Sequence, residues 1–512
     1  MRIRVLLLIL PLLIVLLPAA AQDRTAVEWI DCIDRPNGFS YDDELGVVCG
    51  TITVPEDWDR PDGATLEIAF ALLEGETSSR EPILYMSGGP GEALTEAPQL
   101  FDMLFSDLRA DHDLIIFDQR GSGLSNELNC LSDVESMYSV ADDAEYADMV
   151  STCFKRLLER GFDLSEYNTV NNALDTGALM AALADARGYT GYHLFGASYG
   201  TRLALVTMRE LGESGLIRSV TLDSVFPTQI RFYEQIPANF QEVMWNVFAR
   251  CAADPICDRE YPDLPDRYLA LLEEENDPLR RMMGSESEVI VSLTSSIVLY
   301  LDQYPQFAAY IPRLIHEIEL RGEHGARDVF NAFFNSPEYF NDTFDIAGGS
   351  PSFSITMNWS VQCREEAALE SLDAALDTVD GLAHPMLGER GISTVRSMFS
   401  VCSSWRSGIT DETFKLPVAS DIPVLILLGD YDLRTPPSWG RSAAETLTHA
   451  TVLEFDASGH FVVGWNTCAR EIFGAFIADP ASDLDRSCIG GLAIKFIMPE
   501  ATLDTDEVFH DF

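Results

Sequence analysis

The sequence predicts an α/β fold, with eight strands in a mostly parallel sheet and an inserted helical cap. Two observations carry this expectation. Apolar, β-branched runs of strand length recur along the chain, and the later ones alternate with helix-like stretches. The alternation then stops for a long, mainly helical segment before strands return. At 512 residues the chain exceeds the usual size of one core, so a large domain with an insertion is expected.

The first twenty-one residues stand apart. Arg2 and Arg4 precede an apolar run from Val5 to Leu17, and Pro18-Ala19-Ala20-Ala21 follows. A basic flank, a short apolar core and small residues at the exit describe a secretory signal spanning 1–21. The run is shorter than the roughly 20 residues a membrane span needs, so no stable membrane association is expected after cleavage. The expected location is secreted or periplasmic.

Strands are expected at Thr51–Val54, Leu66–Leu73, Ile83–Met86, Leu114–Phe117, Tyr192–Phe195 and Val220–Leu222. Leu174–Arg187 repeats its apolar residues on one helical face. These elements form the first part of the core, residues 22–228. Residues 229–415 hold helical patterns at Phe240–Ala252, Asp266–Glu274 and Phe307–Leu320, and are read as the cap. Residues 416–512 return to the core with strands at Val424–Leu428 and Val452–Phe455.

Export makes the ten cysteines legible as a disulfide set. Short loops close at the least entropic cost, so neighbours are expected to pair, although other connectivities satisfy the same count. The pairs are Cys32–Cys49, Cys130–Cys153, Cys251–Cys257, Cys363–Cys402 and Cys468–Cys488. No C-x-x-C occurs and the eight histidines are scattered, so neither a metal nor another cofactor is assigned. The formal net charge of −48, with only three lysines, argues against nucleic acid or an anionic membrane surface as partner. Two sequons, Asn341-Asp342-Thr343 and Asn358-Trp359-Ser360, matter only in a glycosylating host.

Four segments carry chemistry. Gly196-Ala197-Ser198-Tyr199-Gly200 fits G-x-S-x-G at the end of a strand, which makes Ser198 a candidate nucleophile on a sharp turn. In Leu425–Pro437 a strand runs into a loop with Asp430 and Asp432, and Asp432, farther from the strand, is the better acid. His460 follows the last strand and is the candidate base. The turn Gly88-Gly89-Pro90-Gly91 leaves backbone N–H groups unobstructed, so Gly89 and Tyr199 are candidate oxyanion donors. A phosphate cradle lacks the Lys followed by Ser or Thr it needs. The order Ser, Asp, His is that of the α/β-hydrolase triad.

These segments, with "DQRGSGLS" at 118–125, "QCREE" at 362–366, "GDYDLRTP" at 429–436 and Cys402–Trp405, resemble secreted α/β-hydrolase exopeptidases of the prolyl and tripeptidyl aminopeptidase type. The resemblance covers nearly all of the chain beyond the signal, and the cap is its vaguest part. It implies acyl transfer to Ser198 and a peptide substrate with a free N-terminus. An aminopeptidase of this kind must hold an ammonium, for which Glu365, or alternatively Glu366, is the candidate; a solvated helix carboxylate is the other reading of either. Ser87 stands where proline iminopeptidases carry His, which speaks against narrow proline specificity. The rival function is a carboxylesterase or lipase with the same triad. Dehalogenases and epoxide hydrolases use Asp where this chain has Ser198, and a non-catalytic binding module would show a broken triad.

Overall fold

The computed structural model describes residues 26–32, 46–77, 80–130, 143–273, 294–295, 297–301, 304–334, 352–491 and 494–500. The signal at 1–21 and the sequon at Asn341 lie outside the described residues, as do parts of the cap.

Nine strands form one sheet in the order β1-β2-β3-β5-β4-β6-β7-β8-β9. Six neighbours are parallel: β5 (Leu114–Phe117), β4 (Ile83–Met86), β6 (Tyr192–Ala197), β7 (Ile217–Asp223), β8 (Val424–Gly429) and β9 (Ala450–Phe455). The edge formed by β1 (Glu28–Ile30), β2 (Val47–Pro55) and β3 (Thr65–Leu73) is antiparallel. The ninth strand corrects the expected eight. β1 has three residues, too few to show a period of two, and it exists only through its pairing with Glu28 opposite Thr51.

The parallel strands β4 to β8 are buried on both faces and read as continuous apolar runs, as sheets covered by helices do. One face meets Thr169–Arg187 and Tyr199–Leu211, the other Thr467–Ala478. Asn168 caps the first of these helices by accepting from Asn171 N–H, and Gly188, at φ 77°, ends it in the left-handed conformation.

The chain leaves the sheet after β7 and rejoins it at β8, with helices such as Phe232–Ala253, Tyr310–Arg321 and Glu389–Ser404 between. The first two pack a second apolar cluster around Val243, Val247, Ile311 and Leu314, and the third contributes Ile392 and Val395 to a smaller one with Tyr233. Phe232–Ala253 starts earlier than its pattern suggests, because it runs through Pro237 in its second turn. Gly391 explains the close packing there, since a Cβ on it would meet Pro237 Cα at 2.5 Å.

All ten cysteines are paired, and the pairs are the neighbouring ones. Cys363–Cys402 joins the turn at Cys363–Ala367 to the helix Glu389–Ser404.

Candidate active site

The order of strands reverses about β4, whose neighbours are β5 and β6. Ligands of open α/β sheets bind at the carboxyl edge beside such a reversal. Here the glycine turn leaves β4 and Ser198 leaves β6, side by side.

Ser198 lies between β6 and the helix Tyr199–Leu211, with φ 56° and ψ −125°. A serine held in this region is strained, and the surroundings must enforce it. They do so through both glycines of G-x-S-x-G. A Cβ on Gly200 would sit 2.0 Å from Met86 O, and one on Gly196 would sit 2.4 Å from Gly200 O. Ser198 N–H donates to Asp223 O at 3.0 Å.

Asp432 lies on the loop after β8, fully buried, and His460 follows β9. His460 Nδ1 is 2.9 Å from both carboxylate oxygens of Asp432. Thr435 N–H at 2.8 Å, Thr435 Oγ1 at 2.8 Å and Arg434 N–H at 2.9 Å also donate to that carboxylate. Burial acts to raise the Asp432 carboxyl, but His460 and the Thr435 bonds outweigh it and hold it below its ordinary range. An ionised Asp432 keeps the proton on Nδ1 and leaves Nε2 as acceptor. Asp430 turns away to Arg250 Nε at 2.9 Å and Ser458 N–H at 3.2 Å, and burial pushes its carboxyl up to about 7.

Ser198, His460, Gly88, Gly89 and Tyr199 line one cavity of about 690 Å³. Its other walls are largely apolar, with Phe226, Phe232, Ile236, Phe240 and Leu433 among them. Helices between β7 and β8 thus roof the carboxyl edge of the sheet.

Family comparison points the same way. The family described as TAP-like protein matches residues 391–488, a stretch that contains Asp432 and His460. This chain has the α/β-hydrolase fold. The hydrolase is 25% identical over 487 residues to the serine protease Hip1 of Mycobacterium tuberculosis, covering 88% of each chain. It is 26% identical over 211 residues to the tripeptidyl aminopeptidase of Streptomyces lividans, 37% of this chain and 36% of that protein. Carboxylesterase B of M. tuberculosis is 29% identical over 454 residues, 81% of each. A solved lipase from Acinetobacter baumannii AYE overlaps it with a TM-score of 0.36 and 11% identity, over 85% of this chain and 92% of its own.

Three groups brace this site in ways that the sequence alone does not assign. Asp223 ends β7, and its carboxylate accepts from Val462 N–H and Val463 N–H, each at 2.8 Å. One residue therefore ties the serine turn, through its carbonyl, to the histidine loop, through its side chain. Burial pushes the Asp223 carboxyl up to about 6, against those bonds and His460. In the "DQRG" segment, Gln119 Nε2 donates to Ser87 O at 3.1 Å, and Asp118 accepts from Thr95 N–H at 2.9 Å. Arg120 is fully buried on Asp175, with both contacts at 2.7 Å.

Asn358 is the third. Beyond its sequon it has a structural place: half-buried in the helix Ile355–Gln362, its Nδ2 donates to Gly89 O and Pro90 O at 3.3 Å. Asn358→Ala is expected to loosen the glycine turn and lower kcat by roughly tenfold to a hundredfold, with a smaller change in KM. Steady-state kinetics on one ester substrate checks this.

Glu365 and Glu366 require correction. Neither is among the residues lining the cavity. Glu365 accepts from Thr169 N–H and Thr169 Oγ1, each at 2.6 Å, beneath the serine helix. Burial holds its carboxyl above the ordinary range. Glu366 pairs with Arg202 and, at 2.5 Å, with Lys415 Nζ. Both carboxylates are saturated inside the protein, because the turn at Cys363–Ala367 packs inward on the core rather than toward the roof.

Proposed function

We propose that this hydrolase is an exported aminopeptidase acting by acyl transfer, with Ser198 as nucleophile, His460 as base and Asp432 as the acid that orients it. The observation that carries the reading is the Asp432–His460 pair opening onto the same cavity as Ser198 and the glycine turn. Ser198 Oγ forms a bond to the substrate carbonyl carbon as its proton passes to His460 Nε2. The N–H groups of Gly89 and Tyr199 stabilise the oxyanion. The carbon–nitrogen bond then breaks, and His460 returns its proton to the leaving amine. Water, deprotonated by His460, attacks the acyl-enzyme and restores Ser198.

Peptide chemistry is supported by the relatives named as a serine protease and a tripeptidyl aminopeptidase. Five disulfides suit an oxidising compartment outside the cytoplasm. The relative named a carboxylesterase supports the second reading, ester hydrolysis on the same triad. Amide turnover separates the two, because serine peptidases also cleave activated esters. Mass spectrometry of a peptide library is expected to show products shortened from free N-termini, with N-acetylated members intact. Ester turnover with no peptide shortened would give the second reading the field.

A further inference from the structure

The cavity holds a carboxylate that acyl transfer does not use. Glu92 directly follows the Gly-Gly-Pro-Gly turn and is the one acidic side chain among the described residues lining the cavity. Its backbone is fixed from three directions. Glu92 bridges to Phe353, its carbonyl accepts the Ser87 hydroxyl at 3.4 Å, and the next N–H, of Ala93, donates to Ser352 O at 2.9 Å. The side chain folds back over Gly88. A Cβ added to Gly88 would lie 3.1 Å from Ser198 Cβ and 3.5 Å from Glu92 Oε2, so serine and carboxylate flank a single point. Burial holds the Glu92 carboxyl above its ordinary range, against His460, Gly88 N–H and Arg434.

A negative charge so near the serine opposes the oxyanion that must form there. A substrate that brings its own cation cancels this opposition, and a neutral one does not. Geometry then limits where the cation sits. By standard backbone dimensions, an N-terminal ammonium lies about 2.5 Å from the carbonyl carbon of its own residue. Each further residue carries the attacked carbonyl about 3.3–3.6 Å away. A carboxylate beside the serine therefore matches an ammonium on the very residue whose carbonyl is attacked. It does not match one two residues upstream.

We propose that Glu92 receives the free ammonium of the substrate and that its place beside Ser198 sets this enzyme to release single N-terminal residues. The proposal rests on the aminopeptidase reading above. Leucine p-nitroanilide, Ala-Ala-Leu p-nitroanilide and the N-acetylated form of each, compared on wild type, Glu92→Gln and Glu92→Asp, test it. Wild type is expected to favour the single-residue anilide, and acetylation of it to lower kcat/KM on the order of a hundredfold. Glu92→Gln is expected to lower the rate on the free amine and raise that on the acetylated substrate. A purely structural role cannot produce opposite signs in one variant. Glu92→Asp, which keeps the charge, is expected to keep the preference, and fluorophosphonate labelling of Ser198 reports that each variant is folded. A free-amine preference that survives in Glu92→Gln overturns the role of Glu92 and leaves the aminopeptidase reading intact. Faster release of the tripeptide than of leucine overturns the register. Equal wild-type rates on free and acetylated substrates remove the aminopeptidase reading itself.

Discussion

Ser198→Ala is expected to lower kcat on every substrate on the order of a millionfold, leaving only what binding and the oxyanion donors supply. The reason is geometric. The serine turn is enforced by glycine contacts on either side and by the bond to Asp223 O, none of which involves the hydroxyl. The variant should therefore fold as wild type does and keep its cavity. Fluorophosphonate labelling of wild type, absent from the variant, together with matching thermal unfolding, is the expected pair of results. Retained labelling would place the nucleophile on another serine.

Glu366→Ala is expected to destabilise the protein by about 3–5 kcal/mol. Arg202 and Lys415 converge on this carboxylate, and all three side chains are buried. Removing it leaves two cations facing each other away from water. The neighbouring Glu370 cannot fully replace it. Its carboxylate already accepts from Tyr233 N–H at 2.6 Å and Glu234 N–H at 3.0 Å, and it lies 3.5 Å from Lys415 Nζ. Arg202 also stacks on Phe226 at 3.6 Å, and Phe226 lines the cavity, so the damage reaches the site. Denaturant unfolding measures the loss. Unchanged stability with altered selectivity between free and acetylated peptides would instead return Glu366 to the substrate.

Much of the fold was legible in the sequence because a buried parallel sheet writes itself as apolar runs. Val424–Leu428 is such a run, and the loop after it could only hold Asp430 and Asp432 near the sheet's edge. The serine segment was legible for a related reason. Two glycines about one serine mark a turn that no Cβ fits, and the contacts at Gly196 and Gly200 are of that kind. What stayed hidden depends on distant parts of the chain. Asp223 reads as the end of a strand until the histidine loop is laid on it. Asn358 reads as a sequon until its helix meets the glycine turn. The resemblance offers Glu365 and Glu366 as ammonium ligands, but the sequence does not say which way their turn faces. Glu92 stands beside a motif whose signal lies in its backbone, and only the fold brings its carboxylate into the cavity.

The strands that carry the two halves of the site are also separated in time. Ser198 leaves the ribosome with β6, whereas Asp432 and His460 arrive with β8 and β9, after the whole helical segment has been made. At ordinary rates of synthesis this interval is on the order of ten to fifty seconds. Throughout it the growing chain carries a serine with no base to activate it. On the proposed mechanism, competence requires both the pairing of β8 with β7 and that of β9 with β8. Until that docking the proposed Ser198–His460–Asp432 site does not exist.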